Sequence, residues 1–423
     1  MREEFIMKQK KTHKISKRIL LVTVSIAAVF FLVIMPILTI LVYEDNFGER
    51  FETADWMAYS VSDFEGLQVE ECSFPSNENQ LLAGYCYSKA APDGTQPPKG
   101  VVVIAHGLGG GGQNTYMDLA DYFTSNGYLV FAYDVTGNDK SEGSSVKGLP
   151  QGVIDLDYAL RYVKQSDVYA GLPIVLFGHS WGGYSVGNVL NCQPDVKAAV
   201  LAAGFDRSTE LFEQQGASMV GSAIKPFMPY VALYERIKFG KYAAYSAIDG
   251  FANTDAKIMI LHSKDDTMVL PENGYDKFYI QYGKDARFQF IEYENRGHGY
   301  LYYTEDAKKY KDQLNKDYEA YAAENGAADS DALKADYMIK HLDKQKCYEL
   351  DEDLMQQILH FYDSCCGYES SRYNLAPCAG TVSTSTPSKT SFSPLQSSAA
   401  PCTASIPACP ANCSTSLRQH ESI

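Results

Sequence analysis

The sequence predicts an α/β domain with a mostly parallel sheet that is covered by helices on both faces. Two observations lead to this fold class. Apolar, β-branched segments of strand length recur through the middle of the chain, and segments of helical periodicity separate them. Continuous apolar strands that alternate with helices are typical of parallel sheets buried on both faces.

Eight strands are predicted. The first two flank a turn rich in Asn and Ser, which indicates an antiparallel opening pair. Helical patterns separate the later strands, which favours parallel pairing. The predicted strands cover residues 67–74, 81–87, 101–105, 128–133, 174–177, 196–202, 257–261 and 288–293.

The segments between the strands have the spacing of amphipathic helices. Tyr116, Leu119, Ala120 and Phe123 lie at positions i, i+3, i+4 and i+7. A longer insert, about residues 206–255, separates the sixth and seventh strands and is rich in apolar and aromatic side chains. We expect a helical cap there, which either covers a binding site as a lid or simply packs onto the sheet.

The N-terminal region predicts a membrane anchor. Residues 19–43 are uncharged and apolar, and at about 1.5 Å per residue a helix of this length exceeds the hydrocarbon core of about 30 Å. Six Lys and Arg residues lie within residues 8–18, just before the segment, whereas Glu44 and Asp45 follow it. The positive-inside rule then predicts a single-pass signal anchor with a cytoplasmic N-terminus and an extracytoplasmic α/β domain.

Composition sets the remaining boundaries. We expect a juxtamembrane linker at residues 44–65, the α/β domain at 66–366 and a disordered tail at 367–423. The tail is rich in Ser, Thr, Pro, Ala and Cys and has no apolar periodicity, so it cannot bury enough surface to order itself. Both a wall-spanning stalk and a change of reading frame would produce such a segment.

Charge and motifs limit the possible partners. The net charge of -15 opposes nucleic-acid binding, which needs clustered basic residues. No phosphate-binding glycine motif and no metal-ligand spacing is present in the sequence, so we expect no cofactor and no metal. Ten cysteines in an extracytoplasmic chain permit disulfides. Cys72 and Cys86 flank the first turn and are either bridged or two small buried side chains.

One motif indicates a nucleophilic serine. An apolar strand runs into Gly178-His179-Ser180-Trp181-Gly182 and then into a helical segment. A serine at such a strand-turn-helix elbow adopts a strained backbone, and the flanking glycines let strand and helix approach closely. Ser180 is therefore the predicted nucleophile.

A nucleophilic serine needs a base and a carboxylate that orients the base. Asp265 and Asp266 follow the seventh strand, and His298 follows the eighth. Both segments end strands, where α/β sheets place their ligand sites. The order of serine, acid and histidine predicts His298 as general base.

Residues from about 66 to 300 resemble the α/β-hydrolase superfamily, particularly its serine aminopeptidase and monoacylglycerol-lipase-like branch. The resemblance rests on the elbow, on His106-Gly107 after the third strand and on an Asp-x-x-Val acid motif ending at Val269. It implies Asp266 as the triad acid. It also implies an oxyanion hole formed by the backbone amides of Leu108 and Trp181.

The resemblance has one clear departure. The segment that begins at Asp134 resembles the family's Asp-x-x-Gly-x-Gly-x-Ser-x-Gly loop, but Asp139 stands where the pattern has its second glycine. The geometry of this loop is therefore open. His106, His179 and His262 lie beside strand ends and are expected to stabilise loops rather than to transfer protons.

We expect hydrolysis of small carboxylic esters through an acyl-enzyme intermediate. Alternatives are an acyltransferase, a catalytically silent surface protein, and an aminopeptidase that binds a substrate ammonium group. Four cap carboxylates are available for that last role: Asp206, Glu210, Glu213 and Glu235. The sequence does not indicate an oligomeric state.

Overall fold

The computed structural model describes residues 17–90, 96–109, 111–324 and 331–368. The residues of the predicted tail beyond position 368 lie outside the described residues, as does the basic flank up to position 16. The predicted domain boundaries stay predictions.

The described residues form one eight-stranded sheet with the order β1-β2-β4-β3-β5-β6-β7-β8. β2 pairs antiparallel with β1 and β4, and the neighbours from β4 through β3 to β8 pair in parallel. This arrangement confirms the predicted fold class, the α/β-hydrolase fold. The strands are β1 Gln68–Pro75, β2 Leu81–Ser88, β3 Val101–Ala105, β4 Leu129–Tyr133, β5 Ile174–His179, β6 Ala198–Ala202, β7 Lys257–Ser263 and β8 Phe288–Tyr293.

Two of the parallel strands continue two residues beyond their predicted ends. β5 runs through His179, which pairs with Ala202, and β7 runs through Ser263, which pairs with Tyr293. In both cases, backbone hydrogen bonds to the neighbouring strand continue beyond the apolar residues from which the strand was predicted. Both extensions bring polar residues to the carboxyl edge of the sheet.

Helices connect the strands and cover both faces. A long N-terminal helix comes first and contains a π-helical turn at Phe30–Ile34. The helices are α1 Lys17–Phe47, α2 Met117–Ser125, α3 Leu149–Gln165, α4 Trp181–Val189, α5 Ser208–Val220, α6 Met228–Phe239, α7 Ala247–Ala252, α8 Tyr275–Tyr282, α9 Glu305–Glu324, α10 Asp331–His341, α11 Lys344–Cys347 and α12 Glu352–Cys366. Short 3₁₀ segments lie at Val61–Asp63, Gln113–Thr115, Asp167–Tyr169, Gly221–Phe227, Gly240–Ala244 and Pro271–Asn273.

The sheet is buried on both faces, as continuous apolar strands predict. In β3, Val101 and Val103 pack into one hydrophobic cluster, with α3 and α4. Val102 and Ile104 pack into a second cluster on the opposite face, with α2 and α12. Full burial of each such side chain stabilises the fold by about 1.5–3 kcal/mol. The central strands therefore hold the site at their carboxyl ends on a rigid base.

α1 is long and apolar enough to cross a bilayer by length and composition. Most of its surface is exposed, but a stripe at four-residue spacing is buried: Met35, Thr39, Tyr43 and Phe47. This stripe packs against α6 of the cap. The end of the apolar helix is thus part of the tertiary structure.

Cys72 and Cys86 are free thiols in the structure. The β1–β2 register places Cys72 opposite Gly84 and Cys86 opposite Glu70, so the two cysteines are diagonal neighbours. Of the two alternatives that the sequence left open, the structure holds the unbridged pair.

Candidate active site

Ser180 lies in a sharp turn between β5 and α4. Its backbone has φ 56° and ψ −116°, a conformation that non-glycine residues rarely adopt. Steric contacts explain why glycines flank the serine. A Cβ at Gly178 would overlap the Gly182 carbonyl, and a Cβ at Gly182 would overlap the Ala105 carbonyl. The sequence thus folds into an elbow that lifts the serine hydroxyl to the edge of the sheet.

His298 lies beside the serine hydroxyl. It follows β8 in a loop whose preceding residue, Gly297, has φ +61°. The Nε2 atom of His298 is 2.7 Å from the Ser180 Oγ atom, within hydrogen-bond range. This distance is suitable for direct proton transfer from the hydroxyl to the imidazole.

Asp266 contacts the other nitrogen of the same imidazole. Its Oδ2 atom is 2.8 Å from His298 Nδ1, while its Oδ1 atom accepts hydrogen bonds of 2.9 Å from the amides of Met268 and Val269. Burial alone would raise the pKa of the Asp266 carboxyl. The charge and hydrogen bond of His298, the charge of His262 and the hydrogen bond from the Val269 amide together lower this pKa. Asp266 is therefore ionised and held in a fixed orientation.

The neighbouring Asp265 has a different role. Its Oδ1 atom accepts hydrogen bonds from the Ser263 hydroxyl at 2.6 Å and from the Gly297 amide at 2.8 Å. These bonds tie the β7 loop to the β8 loop that carries His298. Of the two consecutive carboxylates, the structure brings Asp266 to the imidazole and Asp265 to the backbone of the adjoining loop.

The predicted oxyanion residues lie around the elbow. Trp181 is the first residue of α4, and the amide of a first helical residue has no acceptor within its own helix. Its indole Nε1 donates to the Leu149 carbonyl at 2.7 Å, which fixes the side chain. Leu108 follows the end of β3 and is half-buried against the hydrophobic core.

His179 connects two of these loops. Its Nε2 atom is 3.0 Å from the His298 carbonyl oxygen, and its Nδ1 atom is 3.1 Å from the Tyr116 hydroxyl, which also accepts a hydrogen bond from the Gly107 amide. Burial and the charge of His298 lower the pKa of His179 to about 3, so the ring is neutral. Sequence patterns identified Tyr116 only as an apolar helix position.

The other two histidines also bind backbone groups. His106 Nε2 accepts from the Val135 amide at 3.1 Å, and His262 Nε2 lies 3.0 Å from the Val269 carbonyl. Burial lowers the pKa of both rings. Within the described ranges, no group of three or more His, Cys, Asp or Glu side chains is arranged to hold a metal ion.

The fold is the α/β-hydrolase fold, and a serine, a histidine and an aspartate meet at the carboxyl ends of its strands. Residues 96–245 match the family model of the S33 serine aminopeptidases, so the resemblance inferred from the motifs is confirmed. The matched segment contains Ser180, Leu108 and Trp181 and most of the cap. Asp266 and His298 lie outside it.

Curated relatives match over shorter segments. The chain is 35% identical over 85 residues to a monoglyceride lipase homolog of Monkeypox virus, covering 20% of this chain and 30% of the relative. It is 37% identical over 87 residues to caffeoylshikimate esterase of Arabidopsis thaliana, covering 20% of this chain and 26% of the relative. It is 35% identical over 92 residues to monoglyceride lipase of Homo sapiens, covering 22% and 29%. The alignments thus span less than a third of each relative's length.

Solved structures resemble the chain more distantly. A puromycin hydrolase is 14% identical with a TM-score of 0.48, over 72% of this chain and 40% of its own. The Pyrococcus furiosus esterase Pf2001 is 14% identical with a TM-score of 0.45, and the match covers 63% of this chain and 94% of the esterase chain.

Proposed function

We propose that this protein is a membrane-anchored serine hydrolase that cleaves small carboxylic esters. Ser180 is the nucleophile, His298 the general base and Asp266 the residue that orients it. The observation that carries the proposal is the continuous pair of hydrogen bonds from Ser180 through His298 to Asp266. This constellation is used for acyl transfer on several unrelated folds.

In the proposed mechanism, Ser180 Oγ attacks the acyl carbonyl while its proton passes to His298 Nε2. The amides of Leu108 and Trp181 donate to the tetrahedral oxyanion. His298 then returns the proton to the leaving alcohol, and an acyl-enzyme forms. Water, deprotonated by His298, attacks that acyl group and releases the acid. The ionised Asp266 stabilises the imidazolium in both steps.

The cap supports an acyl substrate more than an ammonium substrate. Phe212, Ile224, Val231 and Phe239 are buried in the same hydrophobic cluster as Trp181. The cap thus presents apolar rather than charged side chains to the cluster that contains Trp181, the residue after the nucleophile. The names of the curated relatives, two lipases and an esterase, point in the same direction.

An aminopeptidase would need a free carboxylate for the substrate's ammonium group, because an unpaired buried charge costs several kcal/mol. Three of the four cap carboxylates already have partners. Asp206 accepts from the Ile248 amide at 3.1 Å, Glu210 forms an ion pair with Lys277 at 2.5 Å, and Glu235 accepts from two hydroxyl groups. These contacts favour ester hydrolysis.

The anchor helix and its basic flank support an orientation in which the N-terminus is cytoplasmic and the hydrolase domain extracytoplasmic. Protease added to intact cells should then digest the domain. Protection of the domain until the membrane is opened would contradict this orientation.

The function is tested on full-length protein with p-nitrophenyl and glyceryl esters of increasing chain length and with aminoacyl amides. Each buried methylene contributes about 0.8 kcal/mol, so kcat/KM for esters should rise with chain length and then level off. Ser180→Ala should lower kcat by about a millionfold. Release of N-terminal residues that is lost on acetylation, without ester cleavage, would favour the aminopeptidase. Acyl transfer to an alcohol in preference to water would indicate an acyltransferase.

A further inference from the structure

The chain that leaves the anchor helix does not run away from the domain. Immediately after α1, the backbone lies against the loop between β4 and α3. The Lys147 amide donates to the Phe47 carbonyl and the Val146 amide to the Glu49 carbonyl, each at 3.1 Å. Residues 47–53, which we call the juxtamembrane segment, therefore lie along the edge of the sheet that carries the candidate active site.

Arg50 fixes this segment to the loop that departs from the family pattern. Its guanidinium donates to the carbonyls of Ser141 at 2.9 Å, Gly143 at 2.6 Å and Asp139 at 2.7 Å. On either side of Asn138, the Phe51 amide donates to the Gly137 carbonyl and the Asp139 amide donates to the Phe51 carbonyl. The juxtamembrane segment and the loop after β4 are thus joined by hydrogen bonds between their backbones.

Asp139 and Thr53 form the closest side-chain contact of this junction. Both carboxylate oxygens of Asp139 are used: Oδ1 accepts from the Thr53 amide and Oδ2 from the Thr53 hydroxyl, each at 2.6 Å. Asp139 has φ +36°, a left-handed backbone that favours glycine. The carboxylate at this position therefore does something that the family's glycine cannot do.

The same threonine holds the loop after Leu108, which we call the oxyanion loop and whose described residues are 108, 109, 111 and 112. The amide of Gly112 donates to Thr53 Oγ1 at 2.7 Å, so the hydroxyl links Gly112 to Asp139. At the other end of the loop, the Phe51 ring packs against Gly109, where a Cβ would lie 3.6 Å from the ring. Gly109 directly follows Leu108, whose amide is the proposed oxyanion donor.

We infer that the juxtamembrane segment positions the oxyanion loop, with Thr53 and Asp139 as positioning residues that join the membrane anchor to the candidate active site. The inference rests on the proposed function, since it gives Leu108 a role in stabilising the oxyanion. Neither residue touches the reacting atoms. Both act through contacts of the juxtamembrane segment with the backbone at Gly112 and Gly109.

The test uses the full-length protein in detergent micelles and three variants: Asp139→Gly, which restores the family residue, Thr53→Val, which keeps the shape but removes the hydroxyl, and Thr53→Ser, which keeps the hydroxyl. A small misplacement of an oxyanion donor can lower the rate by about a hundredfold. We expect Asp139→Gly and Thr53→Val to lower kcat by about 10- to 100-fold with less than about a twofold change in KM. Thr53→Ser should stay near wild type.

Thr254→Val is the matched control. Thr254 also accepts from an amide, that of Ala256, and donates to a carbonyl, that of Pro194, but it lies before β7 at the opposite edge of the sheet. Its kcat should be unchanged. A boronic acid, whose tetrahedral adduct on Ser180 needs the oxyanion donors, should lose affinity in the two affected variants by about the same factor as kcat, since both report transition-state stabilisation.

The outcomes separate the two proposals. If wild type hydrolyses esters and both variants keep its kcat and boronate affinity, the positioning role is overturned and the proposed function stands. Losses that appear equally in Thr254→Val would also overturn it. If wild type is as inactive as Ser180→Ala, the proposed function fails and this inference fails with it.

Discussion

The Ser180 turn and the juxtamembrane segment meet at the same edge of the sheet but are built in different ways. The turn has a motif of five consecutive residues, Gly178-His179-Ser180-Trp181-Gly182, because a Cβ at Gly178 would overlap the Gly182 carbonyl and a Cβ at Gly182 the neighbouring strand β3. The juxtamembrane segment has no motif. Its conformation depends on hydrogen bonds to residues 59 to 100 positions further along the chain, from the pair Thr53 and Gly112 to the pair Phe47 and Lys147.

This difference has a general meaning. Local steric rules leave a pattern in the sequence, whereas a hydrogen bond between distant residues leaves none until the fold brings the partners together. The effects of substitutions should differ accordingly. Substitutions in the turn and its partners should abolish catalysis or strongly destabilise the fold. Substitutions around α1 and the juxtamembrane segment should change the rate or the stability by smaller amounts.

The largest effect in a paired comparison is expected at Asp266. Asp266→Asn removes the charge that holds the His298 tautomer and should lower kcat by up to about 10⁴-fold. Asp265→Asn should be mild, because Asp265 binds the Ser263 hydroxyl and the Gly297 amide instead of the imidazole. Steady-state kinetics on one ester measures both variants. Equal losses, or a larger loss for Asp265→Asn, would show that the acid has been assigned to the wrong residue.

A smaller effect, on stability, is expected at Gly182. A Cβ there would overlap the backbone carbonyl of Ala105, and backbone cannot rotate away as a side chain can. Gly182→Ala should lower the free energy of unfolding by about 3 kcal/mol, the upper range for overpacking. Denaturant unfolding of the full-length protein in detergent measures this loss.

Gly171→Ala is the control for that measurement. Gly171 has φ +76° and no neighbouring atom within 4 Å of an added Cβ, so only backbone strain of about 1 kcal/mol is expected. Equal losses for the two variants would mean that the close approach of β3 and α4 does not constrain the turn.

The smallest expected change in stability concerns the contact between α1 and the cap. Glu235 accepts from the Tyr43 hydroxyl at 3.0 Å and from the Ser208 hydroxyl at 2.6 Å, and burial raises the pKa of its carboxyl to about 7. Between pH of about 4.3 and 7, the folded carboxyl keeps a proton that the unfolded one has lost. This group therefore makes stability fall as pH rises through that window.

Glu235→Gln removes this titration, so the loss of stability between pH 5 and pH 7 should shrink by about 1–2 kcal/mol. Some slope should remain, because burial also raises the pKa of Asp118 and Asp134 to about 7. Unfolding curves at several pH values measure the slope. Glu272→Gln, on the exposed surface, controls for the change in net charge. Identical slopes for wild type and Glu235→Gln would contradict the account.

Much of the fold could be predicted from sequence because its determinants are periodic or local. Strand β3 is present with the predicted bounds, and the order Ser180, Asp266, His298 indicated three strand ends that the sheet brings together. The roles of Tyr116 and Thr53 could not be predicted. Their hydroxyl groups act through partners on other elements, and a lone Tyr or Thr has no distinguishing neighbour pattern.

The replacement at Asp139 was visible in the sequence, but its meaning was not. A carboxylate in a glycine position indicated only that the loop was unusual. Its partner lies at Thr53, within residues predicted to be a linker. A departure from a family pattern is therefore informative even where its cause cannot be derived, because it marks a place to look for a tertiary contact.

Covalent labelling tests whether Ser180 is the nucleophile of this protein. Full-length protein is treated with a fluorophosphonate, and the modified peptide is identified by mass spectrometry. We expect one adduct, on Ser180, no adduct on Ser180→Ala, and loss of ester hydrolysis in step with labelling. An adduct on another residue, or undiminished hydrolysis by Ser180→Ala, would contradict this expectation.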